Sequence, residues 1–204
     1  MKLYYAPGAC SLAPHIALAE SGLPYQLARV DLRKHTVEDG SDYYEVNPKG
    51  YVPTLALDDG TKLTEAAVVL QYIADRRPGS LAPQAGTIER YKVLEWLNFI
   101  ATELHKGFGP LWKPDTPDAT KDAARTQLGK RFAIIDEQLG KGAYLTGDAF
   151  TIADAYLFVI ANWSGMLKVD LAPHRNVGAF TSRVAARAGV QKALQEEGLQ
   201  KNAG

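Results

Sequence analysis

The sequence predicts an α/β domain followed by an all-α domain, and three observations lead there. Residues 1–77 alternate short apolar runs with helical stretches and close in a hairpin and a helix. Residues 78–86 are crowded with Pro, Gly and polar side chains, which marks a linker. From residue 87 to 204 every periodic segment has helical spacing.

In the first domain, Leu3, Tyr4 and Tyr5 form a short apolar strand ended by Ala6, Pro7 and Gly8. A helix follows, with Ile16, Leu18 and Ala19 inward and Gly22 as its stop. Pro14 fits a helix only within the first turn, so the helix starts near Ser11 and Cys10 stands just before it. Residues 27–32 alternate apolar and polar, as a half-buried strand does, and 33–48 reads as a polar surface loop with room for one helical turn. Runs at 54–57 and 62–64 flank Asp58, Asp59 and Gly60, a strong hairpin signal. Pro53 has no N–H to give a sheet, so Val52-Pro53 belongs at a strand's first residue or in a tight turn, where cis bonds are found. Glu65 opens a helix with Val68, Val69, Tyr72 and Ile73 at helical spacing. The sum is a βαβαββα, thioredoxin-like layout.

The second domain reads as a helical bundle. Residues 87–108 form one long amphipathic segment, and 118–139 another with Leu128, Phe132, Ile135 and Leu139 on one face. Residues 151–167 are nearly all apolar, the pattern of a buried central helix, and helices at 179–188 and 190–197 follow. Thr151 and Asp154 have capping-box spacing with Phe150 as the preceding staple, a structural device.

Composition narrows the function classes. Hydrophobic content of 46% with 23% charged residues is that of a soluble globular protein. Lys+Arg and Asp+Glu both number 23, so no net field recruits nucleic acid or an anionic membrane. No run approaches the length of a membrane span. Lys2 followed by Pro7 and Pro14 makes a poor secretory signal, which points to the cytoplasm. One cysteine excludes an internal disulfide and a cysteine-based zinc site.

The chemistry must come from a few polar side chains. Leu97, Ile100, Ala101, Leu104 and Phe108 make an apolar stripe, and Asn98, Thr102 and His105 fall together beside it at spacings of four and three. For His105 alone the plainer reading is a packed histidine before Gly107; the cluster points to a site. Trp96, Phe99 and Glu103 occupy a third face, which implies a second cover such as a partner subunit. A lone cysteine is usually a small buried hydrophobe. Cys10 at a helix N-terminus instead feels the helix dipole and is expected to ionise more readily than a free thiol. Tyr5 ends a strand and is more often core than site; His15, His174, Trp163 and the other tyrosines read as packing or solvated.

The runs YYAPGACSLAPHIAL, NPKGYVPTL, RYKVLEWLN, WLNFIATELHKGF and FTIADAYLF, with EEGL ending at Leu199, stand in one register along the whole chain. Together they resemble the bacterial beta-class glutathione transferases. The resemblance implies the glutathione transferase fold and a cytoplasmic, homodimeric detoxification enzyme that sends a glutathione thiolate onto apolar electrophiles. It implies glutathione as co-substrate with no metal or other cofactor, and no nucleic-acid or membrane partner. It puts catalytic roles on Cys10 and His105, the latter approaching from the second domain. Glutathione contacts fall on Val52 ahead of a cis-proline, on Glu65 and Ala66, and on Asn98, Thr102, Glu103, Leu104 and His105, with Glu103 reaching glutathione in the other subunit. Tyr5, Ser11, Lys34 and Lys106 are further candidates.

The family lysine for the glycyl carboxylate is replaced by His35, which gives up most of its charge near pH 7. Ala66 offers only its backbone N–H, a donor at a helix start that suits an anion. Ala13 stands where a thioredoxin has its resolving cysteine, so any disulfide of Cys10 needs an external thiol. A glutathione-dependent thiol transferase or reductive dehalogenase, and a non-catalytic binding protein on the same scaffold, are the alternatives. The electrophile pocket is expected around 108–112 and 162–168.

Overall fold

The computed structural model describes residues 1–200. The chain divides into two compact units, residues 1–82 with the stretch from Ala186 onward, and residues 83–185.

The first unit carries a five-stranded sheet in the order β3-β2-β1-β4-β5. Its strands are β1 (Lys2–Tyr5), β2 (Gln26–Asp31), β3 (Thr36–Val37), β4 (Thr54–Ala56) and β5 (Lys62–Thr64). β1 runs parallel to β2 with Leu3 opposite Leu27, and antiparallel to β4 with Leu3 opposite Leu55. The helix α1 (Leu12–Ser21) supplies the crossover, stopping at Gly22 with φ 67°, a left-handed turn that suits glycine. One face of the sheet buries Ala28, Val30 and Val37 with Ala6, Tyr43 and Val52. The helix α2 (Ala66–Arg76) turns Ala66, Val69, Leu70, Ile73 and Ala74 inward and packs on α1; Val68, expected inside, is exposed.

Residues 33–48 depart from the expected loop. Asp31 accepts the backbone N–H groups of Arg33 and Lys34, and His35 takes φ 52°, a left-handed conformation histidine tolerates better than most residues. The chain therefore doubles back and β3 pairs antiparallel with β2. One 3-10 turn at Tyr43–Glu45 follows, capped by Asp42.

The expected helical domain at 87–204 is corrected at its far end, and its last four residues lie outside the described residues. The helix α8 (Ala188–Glu196) belongs to the first unit, where it packs on α1. Charge explains it. His15 is buried with Nδ1 2.9 Å from Glu197 and Nε2 2.8 Å from Glu196, and Arg187 pairs with Glu20 at 2.6 Å. Tyr25 donates to Glu196 at 2.6 Å. Burial pushes the Glu196 carboxyl up, but bonds from Tyr25 and His15 and the charges of His15 and Lys192 outweigh it and hold it below its ordinary value. The linker is also shorter than expected, since Leu81 and Ala82 are buried with the first unit.

The second unit contains α3 (Ile88–Phe99), α4 (Gly109–Trp112), α5 (Asp118–Leu139), α6 (Ile152–Met166) and α7 (Arg175–Ala185). The single helix expected over 87–108 is broken. A π segment, Ile100–His105, follows α3, and a 3-10 turn, Lys106–Phe108, follows that. The N–H of Lys106 reaches back five residues to the carbonyl of Ala101, so residues beyond it fall behind the α register. Leu97, Ile100, Leu104 and Phe108 still reach the core; Gly107 lets α5 approach, since a Cβ there would lie 2.9 Å from Leu128. Helix α5 has the expected bounds and buries Leu128, Phe132, Ile135 and Leu139. Helix α6 is buried through most of its length and opens with the expected capping box. Asp154 accepts the N–H of Thr151 at 2.8 Å and that of Leu145 at 2.9 Å, while Phe150 packs edge-on against Tyr144.

Candidate active site

In the first unit the site begins with the loop between β1 and α1. Ser11 is fully buried and locks it, its hydroxyl accepting the N–H of Ala6 at 3.1 Å and donating to the carbonyl of Ala6 at 3.3 Å. From the other side Glu197 accepts the N–H of Gly8 at 2.9 Å. The loop delivers Cys10, half-buried, with its thiol donating to the carbonyl of Val52 at 3.2 Å. The Val52-Pro53 bond is cis, as its place before β4 led one to expect.

Burial pushes the Cys10 thiol up to about 12 and the charge of Glu65 adds to it; the N–H groups of Cys10 and Ser11 pull the other way and lose. The residue keeps some exposure, but its sulfur hydrogen is committed to an enclosed carbonyl. The expectation of a readily ionised thiol is therefore overturned. The dipole at the start of α1 does not offset desolvation, and Cys10 in the ligand-free protein is a thiol.

Beside this edge stands Glu65, with φ 70° and ψ 118°. A non-glycine residue there carries about 1–3 kcal/mol of strain, of the kind that gathers at ligand sites. Its carbonyl takes the N–H groups of Val68 and Val69, and its exposed carboxylate meets Lys49 at 3.2 Å. Lys49 also donates to Thr64 at 3.1 Å. The first N–H groups of α2, beginning at Ala66, have no acceptor within the helix and form an anion-seeking end. Nearby in sequence, His35 stacks on Tyr44 at 4.6 Å above Gly50. Gly50 has φ 71°, and a Cβ on it would lie 2.8 Å from the Tyr44 ring.

In the second unit the chemistry gathers at the end of the π segment. His105 is half-buried, its Nδ1 2.6 Å from the hydroxyl of Tyr156. Its ring meets Trp163 edge-on at 5.0 Å, and Trp163 in turn meets Phe108 at 5.7 Å and Trp112 at 5.3 Å. An imidazole at the rim of an aromatic wall can give or take a hydrogen bond while apolar matter rests beside it.

Two family models match the chain, "Glutathione S-transferase, N-terminal domain" over residues 8–76 and "Glutathione S-transferase, C-terminal domain" over residues 99–188. Glutathione S-transferase GstA of Escherichia coli O157:H7 is 52% identical over 201 residues, covering 98% of this chain and 100% of that protein. The chain belongs to the bacterial glutathione S-transferase family.

Further comparisons agree. Glutathione S-transferase GST-4.5 of Xanthomonas campestris is 41% identical to this transferase, over 98% of this chain and 100% of the relative. Among solved structures, a ternary complex of BphK, a bacterial GST, superposes with a TM-score of 0.96 at 52% identity, covering 98% and 100% of the two chains. A sphingomonad glutathione S-transferase complexed with glutathione does so with 0.94 at 44%, again over 98% and 100%. The fold is the glutathione transferase fold, and the chain is a glutathione S-transferase.

The sequence-expected residues divide. In the first unit Cys10, Val52, Glu65 and Ala66 gather along one edge. Tyr5 is buried in the core, and Ser11 spends its hydroxyl on Ala6 rather than on a thiolate. Lys34 and Lys106 are exposed. In the second unit the shared face of Asn98, Thr102 and His105 does not hold. Asn98 and Thr102 are exposed, with the Thr102 hydroxyl turned back onto the Asn98 carbonyl at 3.0 Å, while His105 turns toward Tyr156 because the π segment interrupts the α register. Leu104 is fully buried and can offer only backbone. Glu103 lies 2.7 Å from Arg131 of its own chain, an ion pair whose angle is not that of a hydrogen bond.

Sequence reasoning missed Lys49, Glu197 and Tyr156. A signal existed for the last. A hydroxyl within a nearly all-apolar helix needs a partner, and Tyr156 is such a hydroxyl.

Proposed function

We propose that this transferase activates glutathione, its co-substrate, through hydrogen bonds to the glutathione sulfur, with Cys10 acting as a thiol donor and not as a covalent nucleophile. The observation that carries this is the Cys10 thiol on the Val52 carbonyl, 3.2 Å away. In the proposed complex the cysteinyl backbone of glutathione pairs with Val52 and competes for that carbonyl, releasing the Cys10 S–H toward the sulfur. Glu65 with Lys49, and the α2 start at Ala66, receive the γ-glutamyl end; His35 receives the glycyl carboxylate. His105 is a second donor. The glutathione thiol gives its proton to solvent, the thiolate held by these donors attacks an electrophilic carbon, a C–S bond forms, and the leaving group departs with the bonding pair. No metal or organic cofactor takes part.

The aromatic wall of Phe108, Trp112 and Trp163 suits apolar, often aromatic, electrophiles, which makes detoxification the fitting role. A homodimer in the cytoplasm completes the proposal. Trp96 and Phe99 are already half-buried within one chain, so that face argues for a partner less than expected. No helix among the described residues is long and apolar enough to cross a membrane. Thiol transfer and reductive dehalogenation through Cys10 fit less well, because both ask for a cysteine thiolate.

The test is a panel with glutathione and an aryl halide, a mixed disulfide or a chlorinated aromatic acid. Aryl-halide conjugation is expected to dominate and to survive Cys10→Ala within about tenfold, the worth of one hydrogen bond. Turnover of the mixed disulfide alone, abolished by Cys10→Ala, would overturn the proposal.

A further inference from the structure

Residues 47–53 lead into β4 without belonging to a strand, so the carbonyl of Tyr51 finds its partners among side chains. Two reach it. The hydroxyl of Tyr43 lies 2.8 Å away, and Asn47 donates from Nδ2 at 2.8 Å. Tyr43 and Thr54 are fully buried and Asn47 is nearly so, although the ring of Tyr51 itself is exposed. The directions of these bonds follow from the atoms. A carbonyl has no proton, so the one between two oxygens 2.8 Å apart belongs to Tyr43. The Tyr43 oxygen is then the acceptor for the Thr54 hydroxyl, also 2.8 Å away. Asn47 Oδ1 accepts the N–H of Lys49 at 3.1 Å, which leaves Nδ2 for the carbonyl.

The Tyr51 carbonyl and the Val52 N–H belong to one peptide unit. That unit is trans and planar, so its C=O and N–H point in opposite directions. Two buried donors on the C=O therefore fix where the N–H points, and by polarising the amide they make it a better donor. We propose that Tyr43, together with Asn47, is a positioning residue for glutathione: by holding the Tyr51 carbonyl it aims the Val52 N–H at the cysteinyl carbonyl of the bound tripeptide. This rests on the reading that the cysteinyl backbone of glutathione pairs with Val52. Tyr43 also donates its own backbone N–H to the His35 carbonyl at 2.8 Å. Tyr43→Phe keeps that bond, so it leaves the turn of His35 tied and removes only the hold on Tyr51.

Calorimetry with two ligands tests this. One is glutathione, and the other is an analogue whose cysteinyl–glycine amide is replaced by a trans alkene, which lacks the acceptor oxygen. Wild type is expected to bind the analogue about tenfold more weakly than glutathione. Tyr43→Phe is expected to bind glutathione about fivefold more weakly than wild type does, and the analogue equally well. An equal loss for both ligands would mean a general loosening and overturns the proposal, as does undiminished binding of glutathione. Should wild type bind the two ligands alike, the pairing of Val52 itself fails, and the aiming of its N–H with it. In aryl-halide kinetics the Tyr43→Phe loss should fall on KM for glutathione more than on kcat; a loss confined to kcat overturns the proposal. Should Tyr43→Phe fail to fold, Asn47→Ser takes away the other donor and keeps an oxygen for Lys49. The same pattern across the two ligands is expected of it, and an equal loss for both overturns the proposal.

Discussion

Iodoacetamide added to the ligand-free protein at pH 7 should alkylate Cys10 about a hundredfold more slowly than it alkylates free cysteine. The structure sets that magnitude. With the thiol pushed up to about 12, the thiolate fraction at pH 7 is about 10⁻⁵, against about 3 × 10⁻² for an unperturbed thiol near 8.5. The deficit is roughly 3,000-fold. A more basic thiolate is a better nucleophile, and a Brønsted slope of about 0.45 over about 3.5 units returns roughly 40-fold. Enclosure of the sulfur against the Val52 carbonyl can only slow the reaction further. Intact-mass spectrometry over a time course measures the rate unambiguously, since Cys10 is the only cysteine. Repeating it between pH 7 and 10 should give a rate that climbs about tenfold per unit without levelling. A rate equal to or above that of free cysteine would show that the start of α1 wins over burial after all, and would restore a redox role for Cys10.

Asp154 is pushed up to about 6 by burial against several bonds that pull it down. Its folded value lies above the unfolded one, so the associated stability is fully present below about 4 and lost as pH rises through about 6. Wild type should therefore gain about 1.4 kcal/mol between pH 7 and pH 5 that Asp154→Asn does not, measured by urea unfolding. Glu197→Ala strips the acceptor from buried His15 and from the N–H of Gly8, and should cost about 3–5 kcal/mol, with Glu197→Gln milder because an acceptor oxygen remains. His35→Lys should tighten glutathione by calorimetry, since lysine brings a full positive charge to the glycyl carboxylate. Gly50→Ala should weaken glutathione binding, because the new Cβ would strike the Tyr44 ring beneath His35 from a backbone at φ 71°.

What was legible in the residues is what depends on local pattern. Asp58 to Gly60 announced the hairpin, Gly22 the end of α1, the Thr151–Asp154 box the start of α6, and the α5 bounds came out unchanged. Contacts between distant residues were not legible. Nothing in the spacing of Asn98, Thr102 and His105 shows that the carbonyl of Ala101 is bonded five residues on, which moves His105 off the shared face. The ionisation of Cys10 was not legible, because a helix start is visible in sequence while an enclosed carbonyl 42 positions away is not. The same blindness hid the seat of α8, whose acidic pair is unremarkable until buried His15 stands between the two carboxylates.

The bond from Gly8 to Glu197 joins residues 189 positions apart. On a ribosome the five strands and both of their helices emerge long before Glu197 does. Ser11 sets the loop that carries Cys10 from within, and a nascent chain cut short before residue 197 would lack its second anchor. Loop-closure entropy grows only slowly with length, but contacts of such high sequence separation form late. The bond also makes the first unit inseparable as a reagent: an expressed 1–82 fragment would lack the carboxylate that accepts the Gly8 N–H. A local loosening around α8 is thereby felt at the turn before Cys10.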